Sequence, residues 1–223
     1  MHEFKVKKLI FSSSAAVFGN TNNEKIDEKF RKEPINPYGK TKLIVENILE
    51  NAMDDFDISS VSLRYFNAAG ASVDGEIGES RKQETHLIPK AIIHTLSDKN
   101  LTFELFGKNY PTPDGTCIRD YIHVDDLAKA HYLSLKYLNK KKGNFFFNLG
   151  SGKGYSNLEI IKNIEKHLNI PIKYKFSKMR KGDPAFLISN YHNAKNALGW
   201  IPEYSDLDNI IKTACKWHQN KNF

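Results

Sequence analysis

The distribution of apolar and polar positions along the chain predicts both strands and helices. Segments rich in apolar residues at 6–11, 58–66 and 144–149 predict strands, the first two of them buried. From residue 37 to about residue 56, apolar side chains recur every three or four positions, which predicts an amphipathic helix with proline at its first position. A strand, a helix and another strand in this order predict a right-handed crossover in a parallel sheet.

The second half of the pattern is broken into shorter elements. Helices are predicted over residues 86–97, 125–138 and 207–217, and Ser156 with Glu159 forms a capping box that opens another helix to about residue 168. Shorter strands are predicted at residues 101–106 and 172–176. Residues 18–36, 70–85 and 107–120 read as loops, and residues 67–70 as a turn.

The stretch Asn-Pro-Tyr-Gly-Lys-Thr-Lys opens the long helix and carries candidate chemistry. Its spacing of four places Tyr38 and Lys42 on one helix face. A positive charge beside a phenol favours the phenolate, which can take and return protons near neutral pH. Serines 12–14 follow the first strand, at the end of a sheet where ligands bind, and could share the relay. An isolated Tyr-x-x-x-Lys is usually a surface pair, but the preceding serine turn favours the catalytic interpretation.

Composition narrows the function classes. The 223 residues are 40% hydrophobic and 26% charged, as in ordinary globular proteins, and carry a net charge of +7. The basic residues are dispersed without a nucleic-acid motif, so no nucleic-acid partner is expected. Cys117 and Cys215 are too few for a disulfide framework, and no apolar run reaches the roughly 20 residues of a membrane span. We expect a cytoplasmic protein with no membrane association.

Two other features invite functional interpretations that the residues alone do not favour. Gly150, Gly152 and Gly154 lack the spacing of a dinucleotide fingerprint, so a tight turn is at least as good an interpretation as a phosphate loop. The eight histidines show no ligand spacing; no metal site is predicted, and His123 reads as a structural residue. Arg119 and Arg180 lie in loops where their planar guanidinium groups suit phosphate, although solvated loop charges are common.

Six motifs together resemble the UDP-glucose 4-epimerase family of extended short-chain dehydrogenases/reductases. They are Phe-Ser-Ser-Ser-Ala-Ala-Val-Phe-Gly at residues 11–19, Asn-Pro-Tyr-Gly-Lys-Thr-Lys at 36–42, Leu-Arg-Tyr-Phe-Asn-Ala-Ala-Gly at 63–70, Asp-Gly-Thr-Cys-Ile-Arg-Asp-Tyr-Ile-His-Val at 114–124, Asn-Leu-Gly-Ser-Gly at 148–152 and Arg-Lys-Gly-Asp-Pro at 180–184. Their order and spacing match the family across nearly the whole chain. The resemblance implies an α/β fold: a truncated Rossmann-like parallel sheet with a smaller, mixed α/β substrate-binding region.

The resemblance also implies a reaction and its residues. UDP-glucose and UDP-galactose would interconvert through a 4-keto sugar, with NAD carrying the hydride. Tyr38 would exchange the 4-hydroxyl proton, Ser14 would bridge it, and Lys42 would hold the nicotinamide ribose. The implied cofactor contacts are Ser12, Tyr38, Lys42 and Phe66. The implied substrate contacts are Asn67, His86, Leu87, Phe106, Arg119, Arg180, Asp183 and Leu187.

Two residues and one segment refine the implied contacts and the implied reaction. Many relatives carry asparagine where this chain has His86, so this contact is less firmly implied than the others. Leu187 occupies the position that gates N-acetylated sugars in the family, and a residue smaller than tyrosine leaves room for them. No carboxylate lies between residues 11 and 19, where related dehydratases and decarboxylases use one, so epimerisation is favoured over elimination.

The family's nucleotide-binding half, with its Gly-x-x-Gly-x-x-Gly motif, has no counterpart in the 223 residues. We therefore expect residues 1–66 to be the remnant of the NAD domain and residues 67–223 to be mainly the UDP-sugar region, with some segments returning to the sheet. The chain alone is expected to be inactive, with the other half supplied in trans; the family's homodimer is doubtful here. The alternative is a non-catalytic fragment that at most binds a UDP-sugar or a partner.

Overall fold

A computed structural model of the chain describes residues 1–21, 24–98, 100–180 and 182–220. Its helices are α1 (Pro37–Phe56), α2 (Leu87–Ser97), α3 (Val124–Leu138), α4 (Asn157–Leu168), α5 (His192–Leu198) and α6 (Leu207–Gln219). Its strands are β1 (Lys8–Ser12), β2 (Lys25–Ile26), β3 (Ser59–Tyr65), β4 (Asn67–Ala69), β5 (Phe103–Phe106), β6 (Ile118–Arg119), β7 (Tyr121–His123), β8 (Asn144–Leu149), β9 (Tyr155–Ser156), β10 (Tyr174–Ser177) and β11 (Phe186–Ser189).

A parallel sheet in the order β1–β3–β8 forms the first layer of the fold. In its register Lys8 pairs with Ser59 and Ser60 pairs with Asn144. Helix α1 contacts β3 and β8, and α3 and α5 also pack on the sheet. Val61 and Leu63 of β3 are completely buried in the core under this sheet, as predicted. The prediction of a buried strand at residues 6–11 was wrong, because every residue of β1 is at least partly exposed. The predicted α/β class and the parallel β1–α1–β3 arrangement are confirmed.

Small sheets and three helices form the rest of the molecule. β11 lies between β2 and β6, both parallel to it, and β6 pairs with β9 in the antiparallel sense. β5 pairs with β10, and β4 with β7, each in parallel. Helices α2, α4 and α6 pack together around a second apolar core that includes Ile92, Ile161 and Ile211, all fully buried. This mixed arrangement agrees with the expected α/β substrate-binding region.

Several sequence-based predictions were wrong in detail. Residues 67–69 are strand β4 rather than part of a turn, because they pair with β7, more than fifty residues away. Short strands β2 and β6 lie inside segments predicted as loops, and β9, β11 and α5 were not predicted. The capping box at Ser156 is confirmed: its side chain accepts from the Glu159 N–H, while the Glu159 carboxylate accepts from the Ser156 N–H. Among the described residues no helix combines the length and apolar character needed to cross a membrane.

Candidate functional site

A cleft of about 690 Å³ opens between the sheet and the second core. It is lined by every site residue predicted above except Ser12 and Lys42: Ser14, Tyr38, Phe66, Asn67, His86, Leu87, Phe106, Arg119, Arg180, Asp183 and Leu187. These residues come from positions spread between residues 14 and 187, so the fold gathers them rather than local sequence. Ser12 and Lys42 do not line the cleft, but Lys42 lies beside the Tyr38 ring, which does.

Helix α1 and the serine turn form one wall. The Lys42 ammonium donates to the Ser12 carbonyl oxygen (2.8 Å) and lies 5.4 Å from the centre of the Tyr38 ring. Ser14 caps a short 3-10 turn, its Oγ accepting from the Ala16 N–H (3.1 Å), so its own hydroxyl proton remains available to donate. Tyr38 is 53% exposed, so its hydroxyl can reach a ligand.

Close approach of α1 to the serine turn depends on Gly39. A Cβ at this position would lie 2.2 Å from the Ala16 carbonyl oxygen, which is far inside any real contact. The start of α1 is also fixed by the Asn36 side chain, which accepts from the Gly39 N–H (2.8 Å). The glycine therefore lets the helix start that carries Tyr38 lie against the turn that carries Ser14.

Behind this wall lies a buried ion pair that the sequence reasoning missed. Glu46 accepts from Arg64 Nε (2.9 Å) and Arg64 Nη2 (2.7 Å), and its Oε1 also accepts from the Ser13 hydroxyl (2.6 Å). The guanidinium group of Arg64 lies 4.5 Å from the centre of the Phe146 ring. Lys42 and Glu46, one helical turn apart, thus hold two successive residues of the serine turn. In the sequence, Lys42 and Glu46 follow Tyr38 at intervals of four residues, and this helical spacing is the signal that could have placed Glu46 on the same helix face.

The opposite end of the cleft is cationic and suits a phosphorylated ligand. The guanidinium carbon of Arg180 lies 4.1 Å from the centre of the Phe106 ring, and the Lys90 ammonium lies 5.9 Å from the same centre. Arg119 is mostly buried, and its Nη2 lies 3.7 Å from an Asp183 carboxylate oxygen. Lys90 was not predicted, although it follows His86 by one helical turn. Four cationic side chains line the cleft, Arg81, Lys90, Arg119 and Arg180, against the carboxylates Glu104 and Asp183.

The middle of the cleft combines apolar and uncharged polar groups. Phe66 and Leu187 are largely buried and belong to one apolar cluster, while Asn67 begins β4 beside them. Tyr121, another lining residue that the sequence did not single out, is buried, and burial raises the pKa of its phenol to about 12. Tyr121 therefore stays protonated and can donate a hydrogen bond, but it cannot serve as a base near neutral pH.

The glycine turn at residues 150–154 is occupied by a carboxylate of the chain itself. Asp120 is fully buried and accepts from the N–H groups of Ser151 (2.8 Å), Gly152 (3.0 Å) and Ser189 (3.0 Å), and from the Ser151 hydroxyl (2.7 Å). A Cβ on Gly150 would lie 2.4 Å from this carboxylate. Because Asp120 takes these donors, the turn does not act as a phosphate loop, in agreement with the structural interpretation of the sequence.

Comparison with protein-family models shows that residues 1–150 match the NAD dependent epimerase/dehydratase family. Among curated proteins, UDP-glucose 4-epimerase from Lacticaseibacillus casei is 44% identical over 220 residues, which cover 99% of this chain. The chain spans 66% of the length of that relative.

Solved structures give the same picture. UDP-glucose 4-epimerase from Brucella ovis, in complex with NAD, is 44% identical and superposes with a TM-score of 0.90 over 96% of this chain and 66% of that one. The enzyme from Bifidobacterium longum, in complex with NAD+ and UDP, is 39% identical with a TM-score of 0.91 over 98% of this chain and 65% of that one. These similarities agree with the Rossmann-like fold.

Proposed function

The chain belongs to the NAD dependent epimerase/dehydratase family, and we propose that its cleft binds a UDP-sugar for 4-epimerisation between UDP-glucose and UDP-galactose. The observation that carries the proposal is that one cleft is lined both by Ser14 and Tyr38, the groups that we propose exchange the proton, and by cationic and aromatic side chains, including Arg119, Arg180 and Phe106. A nucleoside diphosphate sugar has the matching parts, since its diphosphate needs cations and its sugar needs polar contacts at the other end. We assign the diphosphate to Arg119 and Arg180, and the nucleotide to the end containing Phe106.

The chemical step is proposed for the α1 wall. Tyr38 takes the proton of the sugar 4-hydroxyl, and Ser14 bridges the two groups with the hydroxyl proton that its bond to Ala16 leaves free. The Lys42 ammonium lies 5.4 Å from the centre of the Tyr38 ring and places positive charge beside the group that exchanges the proton. NAD, when bound, supplies the hydride acceptor and donor that takes the sugar through its 4-keto form.

The residues present fit one end of NAD. Lys42, held by the Ser12 carbonyl oxygen, lies beside Tyr38 where a nicotinamide ribose could be bound, and Phe66 lies in the same cleft. The pyrophosphate end has no such cradle: the 223 residues contain no Gly-x-x-Gly-x-x-Gly, and Asp120 occupies the glycine turn. We propose that tight NAD binding and epimerisation require a segment with that motif, in cis or in trans, beside residues 1–66. Residues 67–223 are then mainly the UDP-sugar region.

Calorimetric titration of the purified 223-residue chain with UDP-glucose tests the ligand, since the proposed sugar-nucleotide contacts all lie within it. Binding that Arg180→Ala weakens supports the proposal, and absence of binding contradicts it. An assay with UDP-galactose and NAD tests the second part: turnover by the 223-residue chain alone would overturn the requirement for a further segment. An in-frame or frameshifted Gly-x-x-Gly-x-x-Gly segment in the DNA directly upstream would favour the epimerase over a non-catalytic UDP-sugar-binding fragment.

A further inference from the structure

A histidine of α3 contacts the serine turn, and the proposed mechanism does not use it. His131 lies in the middle of α3, is partly buried and does not line the cleft. Its Nε2 lies 3.0 Å from the Ser12 hydroxyl oxygen, and its Nδ1 lies 2.8 Å from the carbonyl oxygen of Leu127, one helical turn earlier. Both ring nitrogens therefore have a hydrogen-bond partner, and the two contacts together fix the orientation of the ring.

The two partners determine which ring nitrogen carries the proton. A carbonyl oxygen can only accept, so Nδ1 of His131 donates to Leu127. In the neutral ring Nε2 then offers a lone pair, and the Ser12 hydroxyl donates its proton to it. The next serine is held from the other side, since the Ser13 hydroxyl donates to Glu46 on α1 (2.6 Å). The side chains of two successive serines thus connect the end of β1 to α3 and to α1.

The backbone of Ser12 holds the ammonium group of the proposed site. Its carbonyl oxygen accepts from Lys42 Nζ (2.8 Å), which lies 5.0 Å from the centre of the Phe11 ring and 5.4 Å from the centre of the Tyr38 ring. Ser12 is also the last residue of β1, so the pairing with β3 does not extend to the residues that follow it. Side-chain contacts must therefore help to fix the position of this carbonyl group.

We propose that His131 is a positioning residue for the proton exchange. By accepting from the Ser12 hydroxyl, it fixes the carbonyl oxygen that keeps the Lys42 ammonium beside Tyr38. His131 acts only through Ser12, because it does not line the cleft where the ligand would lie. The inference rests on the proposed function, since Tyr38 and Lys42 have their roles in the reaction proposed above.

The direction of the hydrogen bond is tested on the 223-residue chain without cofactor. Nitrogen resonances of isotope-labelled histidine distinguish the two tautomers of a neutral imidazole, and His131→Asn identifies the His131 signals among those of the eight histidines. We expect the neutral ring of His131 to carry its proton on Nδ1. Ser12→Ala should shift the Nε2 resonance and leave the proton on Nδ1. A neutral ring protonated on Nε2 would overturn the inference, because Ser12 could not donate to it.

The effect on the reaction is measured as kcat and KM for UDP-galactose in a preparation that contains the NAD-binding segment. His131→Asn keeps a polar group near Nδ1 and loses the contact with Ser12, whereas His131→Gln keeps an acceptor near Nε2. Ser12→Ala and His131→Asn should each lower kcat about tenfold and change KM by less than about threefold, as expected when one hydrogen bond that supports the transition state is lost. His131→Gln should recover most of kcat. The double variant should be no slower than either single variant, because both remove one contact.

The matched control removes a different side-chain hydrogen bond between β1 and α3. Lys8, at the start of β1, donates to Asn139 at the end of α3 (2.5 Å), at the opposite end of the strand from Ser12. Lys8→Met should leave kcat and KM unchanged. A loss in Lys8→Met equal to that in Ser12→Ala would overturn the inference, because general packing of α3 on β1 would then explain both.

The remaining outcomes distinguish the inference from the function on which it rests. Unchanged kcat in both Ser12→Ala and His131→Asn overturns the positioning role of His131 and leaves the proposed epimerisation intact. Absence of turnover by the original chain together with the NAD-binding segment overturns the proposed function, and the positioning role falls with it.

Discussion

The Glu46 carboxylate and the Arg64 guanidinium group form a doubly hydrogen-bonded ion pair in which the side chains are 0% and 1% exposed. The same carboxylate accepts from the Ser13 hydroxyl. One buried contact thus joins helix α1, strand β3 and the serine turn. Each of these elements contributes to the wall where we place the proton transfers.

Glu46→Gln should destabilise the fold, because it leaves the Arg64 charge buried without its counterion. We expect a loss of about 3–5 kcal/mol in the free energy of unfolding, measured by urea denaturation. Glu46→Gln with Arg64→Met should recover part of that loss, since both charges are removed. The matched control, Glu203→Gln, breaks an exposed pair with Lys129 and should change stability by less than about 1 kcal/mol. Losses of similar size in the free energy of unfolding of Glu46→Gln and Glu203→Gln would refute this account.

Tyr38→Phe should abolish epimerisation in a preparation that contains the NAD-binding segment, with a loss of about 10²-fold or more, because the proposed acid–base group is gone. UDP-glucose affinity should change little. Helix α3 offers an unusual control: Tyr132 and Lys136 have the same spacing, with the ammonium 4.4 Å from the ring centre, but lie outside the cleft. Activity that falls equally in Tyr132→Phe would rule out a specific role for Tyr38.

That control pair shows what sequence alone could and could not predict. The Tyr-x-x-x-Lys spacing occurs five times in the sequence, and only the serine turn and the family motifs distinguish the pair that we propose to be catalytic. Helices α1 and α4 were predictable because period, proline and capping residues are local signals. Strand β4 was not, because it exists only through pairing with β7. Glu46 reads as a solvated charge on an amphipathic helix, and only the packing of β3 on α1 reveals its burial.

Arg180→Ala should weaken UDP-glucose binding by about 10- to 100-fold, the effect of removing a charge-assisted contact to phosphate. Arg180→Lys should restore only part of the affinity, since lysine lacks the planar fork and its stacking on Phe106. Arg31→Ala is the matched control, because Arg31 is highly exposed and does not line the cleft. Calorimetry distinguishes these variants, and equal affinity in Arg180→Ala and Arg31→Ala would contradict the assignment.

The buried Asp120 makes stability depend on pH in an identifiable direction. Burial raises its pKa from 3.8 to about 6, so between these values the folded chain holds more protons than the unfolded chain. This carboxyl therefore makes the free energy of unfolding fall as pH rises from about 4 to about 6. Near pH 4, where Asp120 is a neutral acid, Asp120→Asn should be less stable by about 1–3 kcal/mol, because an amide nitrogen cannot accept where both carboxyl oxygens of Asp120 now accept.

Urea denaturation at several pH values checks both statements. The stability difference between the original chain and Asp120→Asn should be largest near pH 4 and smaller above pH 6. If the stability difference between the two chains instead grows with rising pH, the hydrogen bonds to Asp120 stabilise its carboxylate form more than burial destabilises it.

Leu187→Tyr tests the choice of sugar. Leu187 lines the cleft beside Phe66, and the larger phenol would fill space that an N-acetyl group could occupy. We expect the ratio of UDP-GlcNAc to UDP-glucose affinity to fall about tenfold, within the range for a few displaced apolar atoms. Leu187→Met, which is similar in volume, should leave the ratio unchanged. Equal ratios in the tyrosine variant and the original chain would remove Leu187 from substrate selection.

The missing side chain of Gly39 has a consequence for redesign. The helix start rests against the Ala16 carbonyl oxygen with no room for a methyl group, so a side chain at position 39 would push the α1 wall away from the serine turn. The facing wall includes His86, which directly precedes α2 and is half exposed, so its side chain can be exchanged without repacking these elements. Leu187, in β11, instead packs in one apolar cluster with Ala15 and Val17, which follow the serine turn. Libraries intended to change the accepted sugar should therefore diversify the facing wall and leave the residues around Gly39 untouched.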